Sequence, residues 1–124
     1  MRALLHSPNR IVALALGIAF AGYGLFSVLA DRPLLAALFT VAATTLVVGS
    51  LLGIAPARGA NIVIGTAWLV LGYAGLFLVG TDFNVVGLTA LDEVALFASA
   101  TVHLAVGLGA RRDTATASDA PPTL

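Results

Sequence analysis

Cysteine and lysine are both absent from this sequence of 124 residues. Without cysteine, the chain has no disulfide bond, no thiolate metal ligand and no thiol nucleophile. Without lysine, its positive charge rests on six arginines, which six aspartate and glutamate residues cancel. A chain without net charge has no long-range field to attract nucleic acid, so we expect no nucleic-acid partner.

Charge of either sign is also scarce. Charged residues make up 10% of the chain and hydrophobic residues 60%, whereas an average soluble domain has roughly a quarter charged and about half apolar residues. A soluble core of this length cannot enclose so much apolar surface. The composition therefore indicates a membrane protein.

Four apolar runs separate the few clusters of charge, and a helix needs about 20 residues to cross the ~30 Å hydrocarbon layer. The runs cover residues 11–30, 34–54, 60–79 and 90–110. Because short linkers place consecutive helices side by side in opposite directions, the sequence predicts an all-α fold, an integral membrane four-helix bundle with antiparallel up-down neighbours in one domain, residues 1–112. The polar tail, residues 113–124, is expected to be a disordered cytoplasmic segment.

The linkers carry residues that commonly begin or end helices. Asp31 is the expected cap of the second helix, with Pro33 in its first turn. Pro56 and Gly59 are expected to break the chain before the third helix, and Asn61 to cap that helix.

The positions of arginine indicate the orientation, because cytoplasmic loops retain positive charge. Five of the six arginines fall on the side of the membrane that has the two termini. They are Arg2, Arg10, Arg58, Arg111 and Arg112, and Arg32 alone falls on the opposite side. The prediction is a multi-pass plasma-membrane protein with both termini in the cytoplasm. A cleaved signal peptide is the alternative for the first run, but that run exceeds the roughly 7–15 apolar residues of a signal core.

Small residues and aromatics are expected to pack the helices. Glycines and alanines recur at helical spacings in every run, as at Gly49 and Gly53, and such stripes let membrane helices approach closely. Alternatively, Gly49 and Gly53 form the contact between two copies of the chain. The nine aromatics are typical of an interfacial belt and of core packing, with an outward-opening pocket for a lipid or a quinone as the alternative.

The fourth helix brings acidic residues to its beginning. Thr89 and Asp92 have the spacing of a capping box, in which each side chain bonds to the backbone of the other. Glu93 adds negative charge at the positive end of the helix dipole. Adjacent helical residues do not face each other, so Asp92 and Glu93 are not expected to form a catalytic carboxylate pair.

His103 is the one titratable residue expected deep in the membrane, ~20 Å from the start of its helix. Helical spacing places it on a bundle-facing polar stripe with Asp92 and Ser99, the candidate site of this chain. Asp92 lies ~16 Å from His103 along the helix, too far for an acid–histidine pair. The favoured interpretation is a neutral histidine bonded to a carbonyl or to Thr44 or Thr45, and the alternative is a proton or substrate relay.

Signatures of catalysis and of cofactor binding are missing from the sequence. We find no paired metal ligands, no phosphate-binding loop after a strand and no plausible Ser-His-Asp set. The sequence therefore predicts no enzyme, no catalytic or metal-binding residues and no cofactor.

Several stretches are similar to one known family. They are SPNR at residues 7–10, ARGANIVIGTAWLVLGYAGLFLVGTDFN at residues 57–84, and LDEVALFASA followed by LAVGLGARR from residue 91 onward. Over most of its length the chain resembles the small four-helix actinobacterial membrane proteins grouped as domain of unknown function 4383. That family typically has Asp-Asn-Val-Leu-His at the start of its last helix. Asp92 and Val94 match this motif, whereas Glu93 and Leu96 depart from it. The resemblance implies an inner-membrane bundle and brings no established activity.

From these observations we expect a small accessory or structural partner of other membrane components. Its partners would be the lipid bilayer, and other membrane proteins or a second copy of the chain. The alternative function is proton or solute permeation, or binding of a small apolar ligand such as a lipid or quinone, around His103.

Overall fold

A computed structural model describes residues 6–109 of the chain, and within that range the fold consists of helices without strands. The four α-helices are α1 (Pro8–Leu29), α2 (Pro33–Leu52), α3 (Ile54–Leu78) and α4 (Ala90–Gly109). All four are long and apolar enough to cross a membrane. The tail predicted at residues 113–124 lies outside the described residues.

The first two helices both begin with proline, whose missing N–H has no partner in a first helical turn anyway. Ser7 caps α1, and its hydroxyl accepts a hydrogen bond from the Arg10 N–H at 3.5 Å. The prediction that Asp31 caps α2 is wrong. Arg32 occupies the cap position without a side-chain cap bond, and Asp31 has a φ of +56° in the turn before it.

The third helix begins at Ile54, six residues before the predicted start at residue 60. Gly53 alone separates it from α2 and has a φ of +145°, a backbone conformation that glycine adopts without steric penalty. Pro56 is tolerated near the start of α3, since the first four N–H groups of a helix have no intrahelical acceptor. The predicted break at Pro56 and Gly59, and the predicted cap at Asn61, are therefore wrong.

Glycines mark the places where the helices come closest. Gly49 of α2 faces α3, and a Cβ atom added to it would lie 3.1 Å from the Cβ of Ala60. An added Cβ at Gly65 would lie 2.9 Å from the Cβ of His103 in α4. Such close approach supplies van der Waals contact, the main attraction between helices in a lipid environment. Gly49 thus lies in a contact within the bundle.

The centre of the bundle is aromatic. Phe20 of α1, Phe39 of α2 and Trp68 of α3 are buried, with ring centroids 5.1–5.7 Å apart. Phe77 and Phe83 are each 80% exposed. The aromatics are thus divided between core packing and the outer surface of the bundle.

Candidate functional site

Two polar clusters surround buried residues of α4, one in its first turn and one six residues before its end. The Asp92 cluster consists of Tyr23, Arg32, Thr89 and Asp92, and the His103 cluster consists of Asn9, Asn61 and His103. Eleven residues of α4, about 16 Å of helix, separate Asp92 from His103. The structure therefore does not bring the two into contact.

Asp92 is fully buried and receives hydrogen bonds from three residues. The Tyr23 hydroxyl and the Arg32 guanidinium donate to its two oxygens, and Arg32 forms the ion pair that balances its charge. The Thr89 hydroxyl also donates, at 2.8 Å. Arg32 makes two further bonds, at 3.0 and 2.7 Å, to the carbonyl oxygen of Gly87. One carboxylate thus links α1, the α1–α2 turn, the α3–α4 linker and α4.

The capping box predicted at the start of α4 is confirmed. The Thr89 N–H donates to an Asp92 oxygen at 2.7 Å, and the Asp92 N–H donates to the Thr89 hydroxyl at 3.3 Å. Local capping nevertheless accounts for only part of the environment of Asp92. An ionised carboxylate has about four acceptor positions, and here the remaining positions serve Tyr23 and Arg32.

His103 is fully buried, and its polar partner is Asn61 of α3. The ring nitrogen Nδ1 lies 2.8 Å from Oδ1 of Asn61. The Asn61 amide donates through Nδ2 to the backbone carbonyl of Asn9 at 3.0 Å and to its Oδ1 at 3.1 Å. Because Nδ2 is the donor of Asn61, its Oδ1 is an acceptor, so the network assigns the proton of the neutral imidazole to Nδ1.

The second ring nitrogen of His103, Nε2, is then an acceptor without a proton. It is buried and has no hydrogen-bond partner within the described residues. The ring packs against Phe20 instead, with the ring centroids 5.8 Å apart. Buried polar atoms in folded proteins almost always have a hydrogen-bond partner, so Nε2 is an exception in this bundle.

The partners predicted for His103 on α2 are wrong. The Thr44 hydroxyl donates to the carbonyl of Thr40 at 2.9 Å, and the Thr45 hydroxyl donates to that of Val41 at 2.8 Å. Both threonines are exposed on the outer side of α2. Hydroxyls in apolar surroundings commonly bond to the carbonyl one turn earlier.

Ser99, the third residue of the predicted stripe, is half-buried between the two clusters. Its hydroxyl donates to the carbonyls of Ala95 and Leu96 in its own helix, at 2.7 and 3.1 Å. Ser99 therefore does not connect Asp92 to His103.

Two arginines near the His103 cluster bind the ends of neighbouring helices. Nε of Arg10 donates to the carbonyl of Ser50, near the end of α2, and Nε of Arg58 donates to that of Gly107, near the end of α4, each at 2.8 Å. A helix end has unpaired carbonyls and partial negative charge, both of which a guanidinium satisfies. Arg10 and Arg58 thus lie at one end of the bundle, and Arg32 lies at the other.

Within residues 6–109, no group of three histidine, aspartate or glutamate side chains is arranged to hold a metal ion. Apart from Nε2 of His103, the two clusters provide hydrogen-bond partners for buried polar groups across helix boundaries. No protein-family model, curated protein or solved structure matches the chain.

Proposed function

We propose that this multi-pass membrane protein is a small accessory or structural partner of other membrane components. The observation that carries this proposal is the use of its buried polar groups. The Asp92 cluster joins α1 to α4, and the His103 cluster joins α1, α3 and α4. Side chains that are committed to each other across helices favour a rigid body over a reaction centre.

Purification in mild detergent from the native host tests the proposal directly. We expect a protein partner to co-purify with the tagged chain at constant stoichiometry. The same partner should be absent from a control purification of an unrelated four-helix protein with the same tag. Isolation of the chain alone and monomeric in repeated preparations would contradict an accessory role.

We further propose an antiparallel up-and-down bundle in the plasma membrane with both termini in the cytoplasm. Arg10 and Arg58 support this placement, because both bind helix ends near the His103 cluster. Among residues 6–109, the opposite end has one arginine, Arg32, which is paired with Asp92, together with several acids. An excess of arginine at one end is typical of the cytoplasmic side. The same arrangement agrees with the proposed membership of the actinobacterial family that the sequence resembles.

The absence of native cysteine makes this topology easy to test. Single-cysteine variants His6→Cys and Asp82→Cys each offer one site for a membrane-impermeant maleimide. We expect Asp82→Cys to react on intact cells and His6→Cys to react only after permeabilisation. The reverse pattern would overturn the orientation, and labelling of both from outside would overturn the arrangement of the spans.

A second candidate function is permeation of protons or small solutes, or ligand binding, at His103. Its support is the buried Nε2 atom that lacks a partner among the described residues. Reconstitution in liposomes tests it. A flux that disappears in His103→Leu supports this function, whereas equal flux through both proteins, or none through either, argues against it.

A further inference from the structure

Two apolar grooves run along the sides of α2, near the end of the bundle that holds the Asp92 cluster. The first, the Asp31 groove, has a volume of about 520 Å³ and lies between Val28, Asp31, Ala37 and Val41. The second, the Trp68 groove, has a volume of about 440 Å³ and lies between Ala37, Val41 and Trp68. Ala37 and Val41 line both grooves, so α2 is the wall that separates them.

The two grooves have the length of one lipid leaflet. The Asp31 groove extends from the α1–α2 turn to Val41, and the Trp68 groove extends from Leu34 to Ala42. Eight to ten helical residues span about 12–15 Å, and half of the hydrocarbon layer is ~15 Å thick. Each volume also falls within the roughly 300–1,000 Å³ of known ligand pockets. Two parallel apolar grooves of this length suit the two acyl chains of a single lipid.

The charge at the end of the grooves selects a headgroup. Asp31 is exposed, and its carboxylate makes no hydrogen bond or ion pair with residues 6–109. Its φ of +56° is uncommon for a residue with a side chain. The next residue, Arg32, is engaged with Asp92 and Gly87. The turn thus presents a carboxylate, without its neighbouring arginine, on the wall of an apolar groove.

The surrounding charge has the same sign. Asp31, Asp82 and Glu93 lie at this end of the bundle, where the positive charge of Arg32 is already balanced by Asp92. An anionic headgroup would be repelled there, whereas a headgroup with an ammonium would be attracted.

We propose that a diacyl phospholipid with a primary-amine headgroup binds astride α2, with one acyl chain in each groove and its ammonium at Asp31. The proposal rests on the placement in a bilayer that is proposed above. It assigns to the chain a specific lipid site, at a distance from His103.

Native mass spectrometry of the full chain tests the site. The protein is released from nanodiscs that contain equal amounts of phosphatidylethanolamine and phosphatidylglycerol with identical acyl chains. We expect one phosphatidylethanolamine to remain bound to the wild-type protein. Asp31→Asn should lower the preference for phosphatidylethanolamine about two- to fivefold, as expected for loss of a solvent-exposed ion pair. Ala37→Leu should weaken retention, because Ala37 lines both grooves and a larger side chain there narrows the space for an acyl chain.

Two control variants test whether the loss of bound lipid is specific to the proposed site. Asp82→Asn removes an exposed carboxylate from the same end of the bundle, and Ala98→Leu enlarges an exposed alanine of α4 that lines neither groove. Both variants should retain the lipid as the wild type does. Circular dichroism and size-exclusion chromatography identify variants that fail to fold. If Ala37→Leu is one of them, Asp31→Asn still tests the site, because Asp31 is exposed and its substitution should not disturb the fold.

Three results would overturn the proposal. They are equal retention of the two lipids by the wild type, an unchanged preference in Asp31→Asn, and an equal loss in Asp31→Asn and Asp82→Asn. Any of these in a preparation that still captures a protein partner would refute the lipid site and leave the accessory function intact. Failure to enter nanodiscs at all would instead refute the placement in a bilayer.

Discussion

Replacing Asp92 by asparagine tests whether the Asp92 cluster holds the helices together. The substitution keeps the size of the side chain and an oxygen that accepts from Thr89, but it leaves Arg32 without its counterion. Removal of one member of a buried ion pair costs about 3–5 kcal/mol. The Arg32 side chain is 18% exposed and keeps its bonds to the Gly87 carbonyl, so we expect a loss of ~3 kcal/mol in the free energy of unfolding.

A double-mutant cycle with Arg32→Met isolates the interaction between the two residues. Arg32→Met alone leaves a buried anion, Asp92, without its ion-pair partner, and should be about as destabilising as Asp92→Asn. The double variant has neither charge and should lose only about 1–2 kcal/mol through its missing hydrogen bonds. Because the single variants should lose about 3 kcal/mol each and the double variant only about 1–2 kcal/mol, the coupling energy should have a magnitude of about 4–5 kcal/mol.

Reversible unfolding in mixed micelles with an increasing fraction of dodecyl sulfate measures these free energies. Trp68 is the only tryptophan and is 3% exposed, so its fluorescence reports loss of the bundle interior. Asp82→Asn is the control, because this exposed aspartate lies outside the cluster and should change stability by less than about 0.5 kcal/mol. A coupling energy below about 0.5 kcal/mol, or equal effects of Asp92→Asn and Asp82→Asn, would refute the assigned role.

Three further variants are informative in the same assay. Tyr23→Phe removes one bond to a charged acceptor and should cost about 1.5 kcal/mol; no loss would place the tyrosine hydroxyl outside the cluster. Asn61→Leu leaves the buried Nδ1–H of His103 without an acceptor and should lower the free energy of unfolding by about 1–3 kcal/mol. It should also change the ¹⁵N chemical shifts of the histidine ring, and unchanged shifts would contradict the assigned tautomer. Gly65→Val forces a side chain to within 2.9 Å of its neighbours and should cost about 1–3 kcal/mol. Gly22→Ala, where no atom lies within 4 Å, should cost nothing, and equal losses at both glycines would contradict the close contact.

The helical spans were predictable because a membrane imposes one simple rule. Every backbone polar group inside the hydrocarbon layer must be satisfied within its own helix, so length and apolar composition suffice to locate a span. The start of α3 was not predictable in this way. Pro56 and Gly59 resemble a break, but a helix tolerates proline near its beginning, and the turn depends on the positive φ of Gly53.

The polar contacts were predictable only where they are local. Thr89 and Asp92 are three residues apart, and their capping box follows from spacing alone. Tyr23 and Arg32 lie 69 and 60 residues from Asp92 in the chain. Contacts of this kind depend on how the helices rotate about their axes, and no local pattern records that rotation.

At Asn61, the general preference of asparagine for helix caps led to a wrong prediction. Asparagine is a favoured helix cap, and its position after a proline and a glycine agreed with that role. Helical spacing held a second signal, however. Steps of four, three and four residues from Asn61 lead to Gly65, Trp68 and Gly72, all of them buried. An amide on the face that packs against other helices needs a buried partner, and His103 provides it.

The second helix is held differently from the other three. The described members of both polar clusters come from α1, α3, α4 and the segments that precede α2 and α4, and the link to α2 itself is the bond from Arg10 to the carbonyl of Ser50. Its buried face is rich in small residues such as Ala36, Ala42 and Gly49, which attract neighbouring helices through van der Waals contact alone. The grooves described above also lie along α2. Packing, together with this one hydrogen bond, thus holds α2 in the bundle, whereas hydrogen bonds between side chains join α1 and α3 to α4.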